Sequence, residues 1–192
     1  MNLWPKFVNE WGTDARDHEH EFPCDELVAE PTMTAFRAVD VEAPVAVTYR
    51  WLCQMRVAPY SYDKLDNWGR QSPQELIPGL ERLELDQRWM QIFKLVGFEP
   101  GRSITLLSNG PVFGKVGITY LAVPNDEDRS RIVVKVQCRT PSGLLGRLIG
   151  LILPPGDLVM MRRQLLNLAS LARRTPLSAV EAGRGTAVPA AA

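Results

Sequence analysis

The chain lacks most of the features that announce a chemistry. Lys+Arg and Asp+Glu both number 22 in 192 residues, so the formal net charge is zero. Proteins that hold duplex DNA through its phosphates usually carry a basic excess, and without one nucleic acid is not an expected partner. Histidine is scarce: His18 and His20 are the only two, and both sit in an acidic stretch with Asp17, Glu19 and Glu21. Imidazole and carboxylate can ligate a metal, but a solvated segment is the plainer reading, and no metal or cofactor is expected. A Ser-His-Asp triad would need that stretch to fold into an active site. The three cysteines, Cys24, Cys53 and Cys138, form no C-x-x-C pair. That argues against a disulfide framework or a cysteine zinc site, and for a reducing compartment.

Long apolar runs are missing too. The longest, Leu144 to Leu153, contains Arg147 and ends at Pro154-Pro155. A membrane-crossing helix needs roughly 20 apolar residues. The N-terminal MNLWPKFVNEWG has no signal-peptide core. The expectation is a soluble, cytoplasmic protein with no stable membrane insertion. There is no G-x-S-x-G. The stretch Gly110 to Val116 departs from a phosphate loop in its glycine spacing and in having Val116 where Ser or Thr is needed. No dinucleotide fingerprint follows any predicted strand.

What is present is an ordinary globular mix, 45% hydrophobic and 23% charged, at a length suited to one domain. The zero net charge hides an asymmetry. Residues 1–31 hold eight acids and two bases, whereas residues 32–174 hold nineteen bases and thirteen acids. An acidic arm, 1–31, is expected beside a basic body, 32–174, and either lies on it or is merely solvated. The small, aperiodic tail 175–192 is expected to be disordered.

The hydrophobic pattern predicts a first strand over Thr32–Val41 and a helix from Ala43-Pro44 to about Gln54. The segment Pro59–Arg70 reads as a short helix or ordered loop. Strands are predicted over Trp89–Phe98, Ser103–Ser108, Val116–Val123 and Arg131–Thr140, with a weaker one over Gln74–Ile77. Their short, turn-rich connections require an antiparallel sheet. In the last strand Ile132, Val134, Val136 and Cys138 share one face and Arg131, Lys135, Gln137 and Arg139 the other, so one face should be buried and one wet. A long final helix is predicted to begin at Gly156-Asp157, with Asp157 as its N-cap, and to close at Arg173-Arg174. Its stripe of Leu158, Met161, Leu165 and Leu168 must cover the sheet.

The residues Phe22-Pro23-Cys24-Asp25, Arg37 to Pro44 and Trp51-Leu52-Cys53 carry a family likeness. So do Ala58 to Asp63, Asp66-Asn67, Gly69-Arg70, Ser72-Pro73 and Gly156 to Arg162. Over residues 22 to 174 the sequence resembles the START-like superfamily (SRPBCC, polyketide cyclase/dehydrase-like), most closely bacterial members with an N-terminal extension. The resemblance implies an α+β helix-grip fold, a curved antiparallel sheet wrapped around a long C-terminal helix, with short helices after the first strand. It also implies an apolar cavity between sheet and helix that binds lipids, polyketides or similar molecules, and in some members cyclase, aromatase or hydrolase activity. Fold alone does not choose among these.

Two functional classes follow. One is a module that binds a hydrophobic small molecule; the other is a polyketide cyclase, aromatase or dehydratase using the same cavity. Exposed basic strand residues offer a lesser option, a protein partner. Arg56, Tyr60, Tyr62, Asp63, Asp66, Asn67 and Arg70 cluster after the first helix, where the resemblance places one wall or lid of the cavity, and phenols and amides are groups that orient a ligand in an apolar pocket. Asp63 and Asp66 equally suit helix caps, and Arg70 an ion pair. Trp89 and Leu165 are candidate lining residues, although a strand aromatic more often belongs to plain core. The candidate ligand-binding set is Arg56, Tyr60, Tyr62, Asp63, Asn67, Trp89 and Leu165. Asp63, Asp66 and Tyr60 are the candidate acid-base groups of the enzymatic reading. The glycine-spaced apolar run over 143–153 suits a gate or a membrane-touching patch near one mouth, or a buried short helix.

Overall fold

The computed structural model describes residues 4–177, apart from the side chains of Leu65, Asp66 and Leu145. Of the tail expected over 175–192, residues 178–192 lie outside the described residues. In chain order the elements are α1 (Lys6–Asn9), β1 (Glu10–Trp11), α2 (Cys24–Leu27), β2 (Met33–Val41), α3 (Val45–Gln54) and α4 (Asp63–Asp66). There follow β3 (Arg88–Trp89), β4 (Phe93–Glu99), β5 (Ser103–Gly110), β6 (Gly114–Pro124), β7 (Ser130–Arg139) and α5 (Gly143–Arg174). The seven strands form one sheet in the order β1-β2-β7-β6-β5-β4-β3. Only the β1–β2 pair is parallel. This is an α+β helix-grip architecture, with the sheet wrapped on α5.

The long strands pair without interruption. β6 matches β7 from Lys115↔Arg139 to Pro124↔Ser130, and β7 matches β2 from Met33↔Cys138 to Val41↔Ser130. Strand alternation then sends Val116, Ile118 and Tyr120, with Ile132, Val134, Val136 and Cys138, to the face that meets α5. α3 starts at Pro44, whose missing N–H costs nothing there, and buries Trp51, Leu52 and Cys53.

Four local expectations are corrected. The predicted strand Trp89–Phe98 is two strands, because Met90 and Gln91 adopt positive φ (41° and 65°) and turn the chain. Gln74–Ile77 is not a strand. The buried side chain of Gln54 takes the place of a pairing strand, accepting from the Ile77 N–H (3.0 Å) and donating to its carbonyl (3.1 Å).

The last helix begins at Gly143, not at Gly156-Asp157, and runs unbroken through Pro154 and Pro155. The prolines withdraw the N–H partners of the carbonyls at positions 150 and 151 without ending the helix. Gly146 permits this start, since a Cβ there would collide with the Pro141 carbonyl.

Finally, the outer face of β7 is not wet: Arg131 and Gln137 are buried and Lys135 is half-buried. Residues 12–30 lie over it. Asp17 takes a bidentate contact from Arg131 (Nε and Nη2, both 2.8 Å), and Asp25 accepts from Lys135 and Gln137 (2.7 Å each). Phe22 and Cys24 pack with Ala38, Leu121 and Val133 in a small second core. Burial alone would raise the Asp17 pKa, but the Arg131 hydrogen bonds hold it below its ordinary value. Among the described residues no helix is long and apolar enough to cross a membrane, and no cluster of three or more His, Cys, Asp or Glu is placed to hold a metal. His18 packs on Phe36, with ring centroids 4.3 Å apart.

Candidate functional site

Between the sheet and the first half of α5 lies a cavity of about 560 Å³. Its floor is the inner face of the strands: Met33 on β2, Val116 and Ile118 on β6, and Val136 and Cys138 on β7. Its roof is Leu148, Ile149, Ile152, Leu153 and Met160 of α5, and its rim includes Ile92 and Phe113. The lining is almost wholly apolar. Beyond Ile118 and Met160 of the lining, β6 and α5 are joined by a polar plug. Tyr120, two residues beyond Ile118 on the same face of β6, donates to Gln164 Oε1 (2.9 Å), and Gln164 Nε2 donates to the Pro59 carbonyl (2.6 Å). Burial raises the Tyr120 pKa well beyond its ordinary value, so this hydroxyl stays protonated.

Asp157 supplies the only carboxylate of the lining. Its side chain is 12% exposed and receives a 2.7 Å contact from Arg37 Nη2, whose own side chain is wholly buried. Arg37 also donates to the carbonyls of Phe36 (2.9 Å) and Val8 (2.8 Å). The pair is therefore held from β2 and from α1 at once. Burial raises the Asp157 pKa above its ordinary 3.8, and the Arg37 charge opposes this only in part. Burial likewise lowers the Arg37 pKa, against the pull of Asp157. Both shifts have one cause: an ion pair taken out of water loses more hydration than its attraction returns. Cys138 lies against the same cavity, its thiol pushed up to about 11 by burial first and the Asp157 charge second. It is no thiolate nucleophile at neutral pH.

None of the seven residues chosen from the sequence lines this cavity. Leu165 and Trp89 are fully buried members of the solid core. Arg56 sits in the turn after α3, its N–H donating to the Cys53 carbonyl. Asn67 is buried and donates to the Arg70 carbonyl (2.6 Å), closing its own turn. The structure does bring Tyr60, Tyr62 and Asp63 together, on a separate polar cleft of about 700 Å³ that includes Arg163, Asn167 and Arg174. Asp63 is committed there as a staple, accepting from the Ser72 N–H (2.9 Å) and from its hydroxyl (2.5 Å). Tyr60 is buried with its ring edge-on to Trp51, and burial raises its pKa. The side chain of Asp66 lies outside the described residues.

The residue that sequence reasoning missed is Asp157, read as a helix cap. One signal pointed to it: it is the only acid between Asp128 and Glu181, beside an apolar run. The other lining residues carry no such mark, because Ile118 or Met160 looks the same in sequence whether it faces a neighbour or a void.

No family model matches the sequence, and no curated protein matches it. Solved structures do. A hypothetical protein from Helicobacter pylori is 17% identical with a TM-score of 0.51, covering 80% of this chain and 95% of that one. A START superfamily protein from Mycobacterium smegmatis is 12% identical with a TM-score of 0.44, covering 72% and 98%. The Zhui aromatase/cyclase from Streptomyces sp. R1128 is 17% identical with a TM-score of 0.36, covering 82% and 96%. At such identities the likeness concerns fold and not chemistry. With a seven-stranded sheet, antiparallel but for one edge pair, closed around a 32-residue C-terminal helix, this chain has an α+β helix-grip fold.

Proposed function

We propose that the protein binds one apolar small molecule in the cavity beneath the first half of α5, with Asp157 as its polar anchor. The observation that supports this is a cavity of about 560 Å³ whose lining is apolar but for Ser108 and Asp157. Ligand pockets span roughly 300–1,000 Å³ and combine an apolar wall with few polar groups. The complementary ligand has a hydrocarbon or aromatic body and one hydroxyl, phenol or amine to meet the carboxyl. Titration with the neutral apolar probe N-phenyl-1-naphthylamine tests it. Saturable binding near one to one, lost in Ile118→Trp, is the expected result; binding unchanged in that variant would place the probe elsewhere and sink the reading.

A second reading, an aromatase- or cyclase-type enzyme, is favoured by the same Asp157. A carboxyl with a raised pKa in an apolar cavity is suited to general acid-base work. In this reading Asp157, not Asp63, moves the proton. Asp157→Asn should then abolish turnover of a poly-β-keto substrate while the substrate still binds. Turnover that survives the substitution removes Asp157 from the chemistry.

A further inference from the structure

The first half of α5 does more than roof the cavity. Leu144, Leu148, Leu151, Ile152 and Val159 recur at helical spacing on one side, and all five are exposed, Leu144 at 74% and Ile152 at 70%. Soluble proteins rarely leave such a run of large apolar side chains in water without a use. The ridge continues onto the rim of the cavity. Leu148 and Ile152 also line the cavity, as do the exposed Ile92 and Phe113 from two separate turns of the sheet, and Val112 stands exposed beside Phe113. Apolar side chains from three segments therefore surround one mouth.

Charge on the outer side of these segments is mostly of one sign: the one acid of the Leu144–Val159 ridge, Asp157, turns inward to Arg37 (2.7 Å), and Asp86 stands 3.7 Å from Lys94. There is no Asp or Glu over 87–98, 100–125 or 129–156, which hold Ile92, the Val112–Phe113 hairpin and α5 as far as Gly156. Arg88, Lys94, Lys115 and Arg147 lie on the same segments, with Arg162 further along α5. Glu30 of the arm reaches this region, where it pairs with Arg139 (3.0 Å). Apolar residues fringed by cations are the pattern of a surface that enters the headgroup layer of an anionic membrane.

We propose that this face, Val112–Phe113, Ile92 and the Leu144–Val159 ridge, seats on an anionic lipid bilayer. Resting on the ligand-binding reading above, it opens the cavity mouth to the acyl layer, so that the ligand class is one dissolved in membranes. A second copy of the chain fits the face less well. Two ridges packed together would oppose arginines of like charge and shut both mouths.

Co-sedimentation of the full chain with vesicles tests the proposal. Binding to phosphatidylcholine vesicles containing phosphatidylglycerol is expected to be about tenfold tighter than to phosphatidylcholine alone, and to weaken with salt. The double variant Val112→Glu, Leu144→Glu alters no residue that lines the cavity. It should lose about tenfold or more of vesicle affinity with its Tm and its N-phenyl-1-naphthylamine affinity unchanged. The proposal fails if the wild type ignores phosphatidylglycerol vesicles or if the double variant binds them equally well. It also fails if light scattering finds a dimer that the variant converts to monomer, which would assign the face to a second copy. Loss of probe binding with vesicle binding intact would remove the ligand reading and leave the membrane face standing.

Discussion

The two halves of α5 face the same sheet and meet it differently. In the second half Leu165, Leu168 and Ala172 are fully buried and share a core with Trp51, Leu52 and Tyr60. In the first half Leu148 and Ile152 are partly in water and partly over a void. The difference lies in what stands opposite. α3 has only ten residues, about 15 Å of helix, and it fills the space beside the second half of α5. No residue of α3 lines the cavity, which opens between the first half of α5 and the inner face of the sheet while the Arg37–Asp157 pair ties the helix to β2. One continuous helix thus supplies a structural end and a candidate binding end, and the stripe that covers the sheet is not the stripe that lines the cavity.

The sharpest way to break this comparison is to damage the solid half. Leu168→Ala should cost about 2–5 kcal/mol of stability by chemical denaturation, with the probe affinity of the folded fraction unchanged. Affinity falling in step with stability would mean that the halves are not separate. Filling the open half should do the reverse. Ile118→Trp is expected to lower probe affinity about tenfold or more, equivalent to about 1.4 kcal/mol, and to change stability less than Leu168→Ala does. By contrast Leu165→Trp, placed in the solid half, should overpack the core at a cost of about 1–3 kcal/mol.

The plug between the halves comes next in size. Tyr120→Phe removes the hydroxyl that bonds Gln164 and should cost about 0.5–1.5 kcal/mol, read in paired denaturation curves. A change near zero would mean that Gln164 finds another partner.

The smallest effect is on pH dependence. The folded pKa of Asp157 is raised above 3.8, so the folded state favours the protonated form. That contribution to stability is complete below 3.8 and is lost as pH rises through the folded pKa. Comparing the wild type with Asp157→Asn cancels the other carboxylates. The stability of the wild type relative to the variant should therefore fall as pH rises through this window. A difference independent of pH would show that Asp157 is not shifted by burial.

Much of the frame was legible in residue order. The alternation from Ile132 to Cys138 assigned the inner face of β7, and Pro44 and Gln54 bounded α3 closely. Turn residues at Pro100-Gly101, Pro111 and Asn125-Asp126 set the antiparallel meander. The likeness to START-like proteins pointed to the grip of sheet on helix. The misses have local causes. Gln54 replaced a strand partner with an amide, two positive-φ residues split β3 from β4, and the two prolines disguised the first turns of α5 as a separate segment. The candidate site was less legible. Tyr60, Tyr62 and Asp63 do converge, but on a polar cleft where Asp63 is taken up by Ser72.

By itself the sequence determined which residues avoid water, how they alternate or recur along each element, and that acids gather in residues 1–31 and bases in residues 32–174. Hydrophobicity and backbone geometry act within a few residues, so these properties are written locally. Tertiary structure alone decided that Asp157 meets Arg37 and that the wet face of β7 is covered. It also decided that Ile118 looks onto empty space whereas Leu165 does not. Those outcomes depend on the distance between elements far apart in the chain. A buried apolar side chain has the same local preferences whether its neighbour is another side chain or a void.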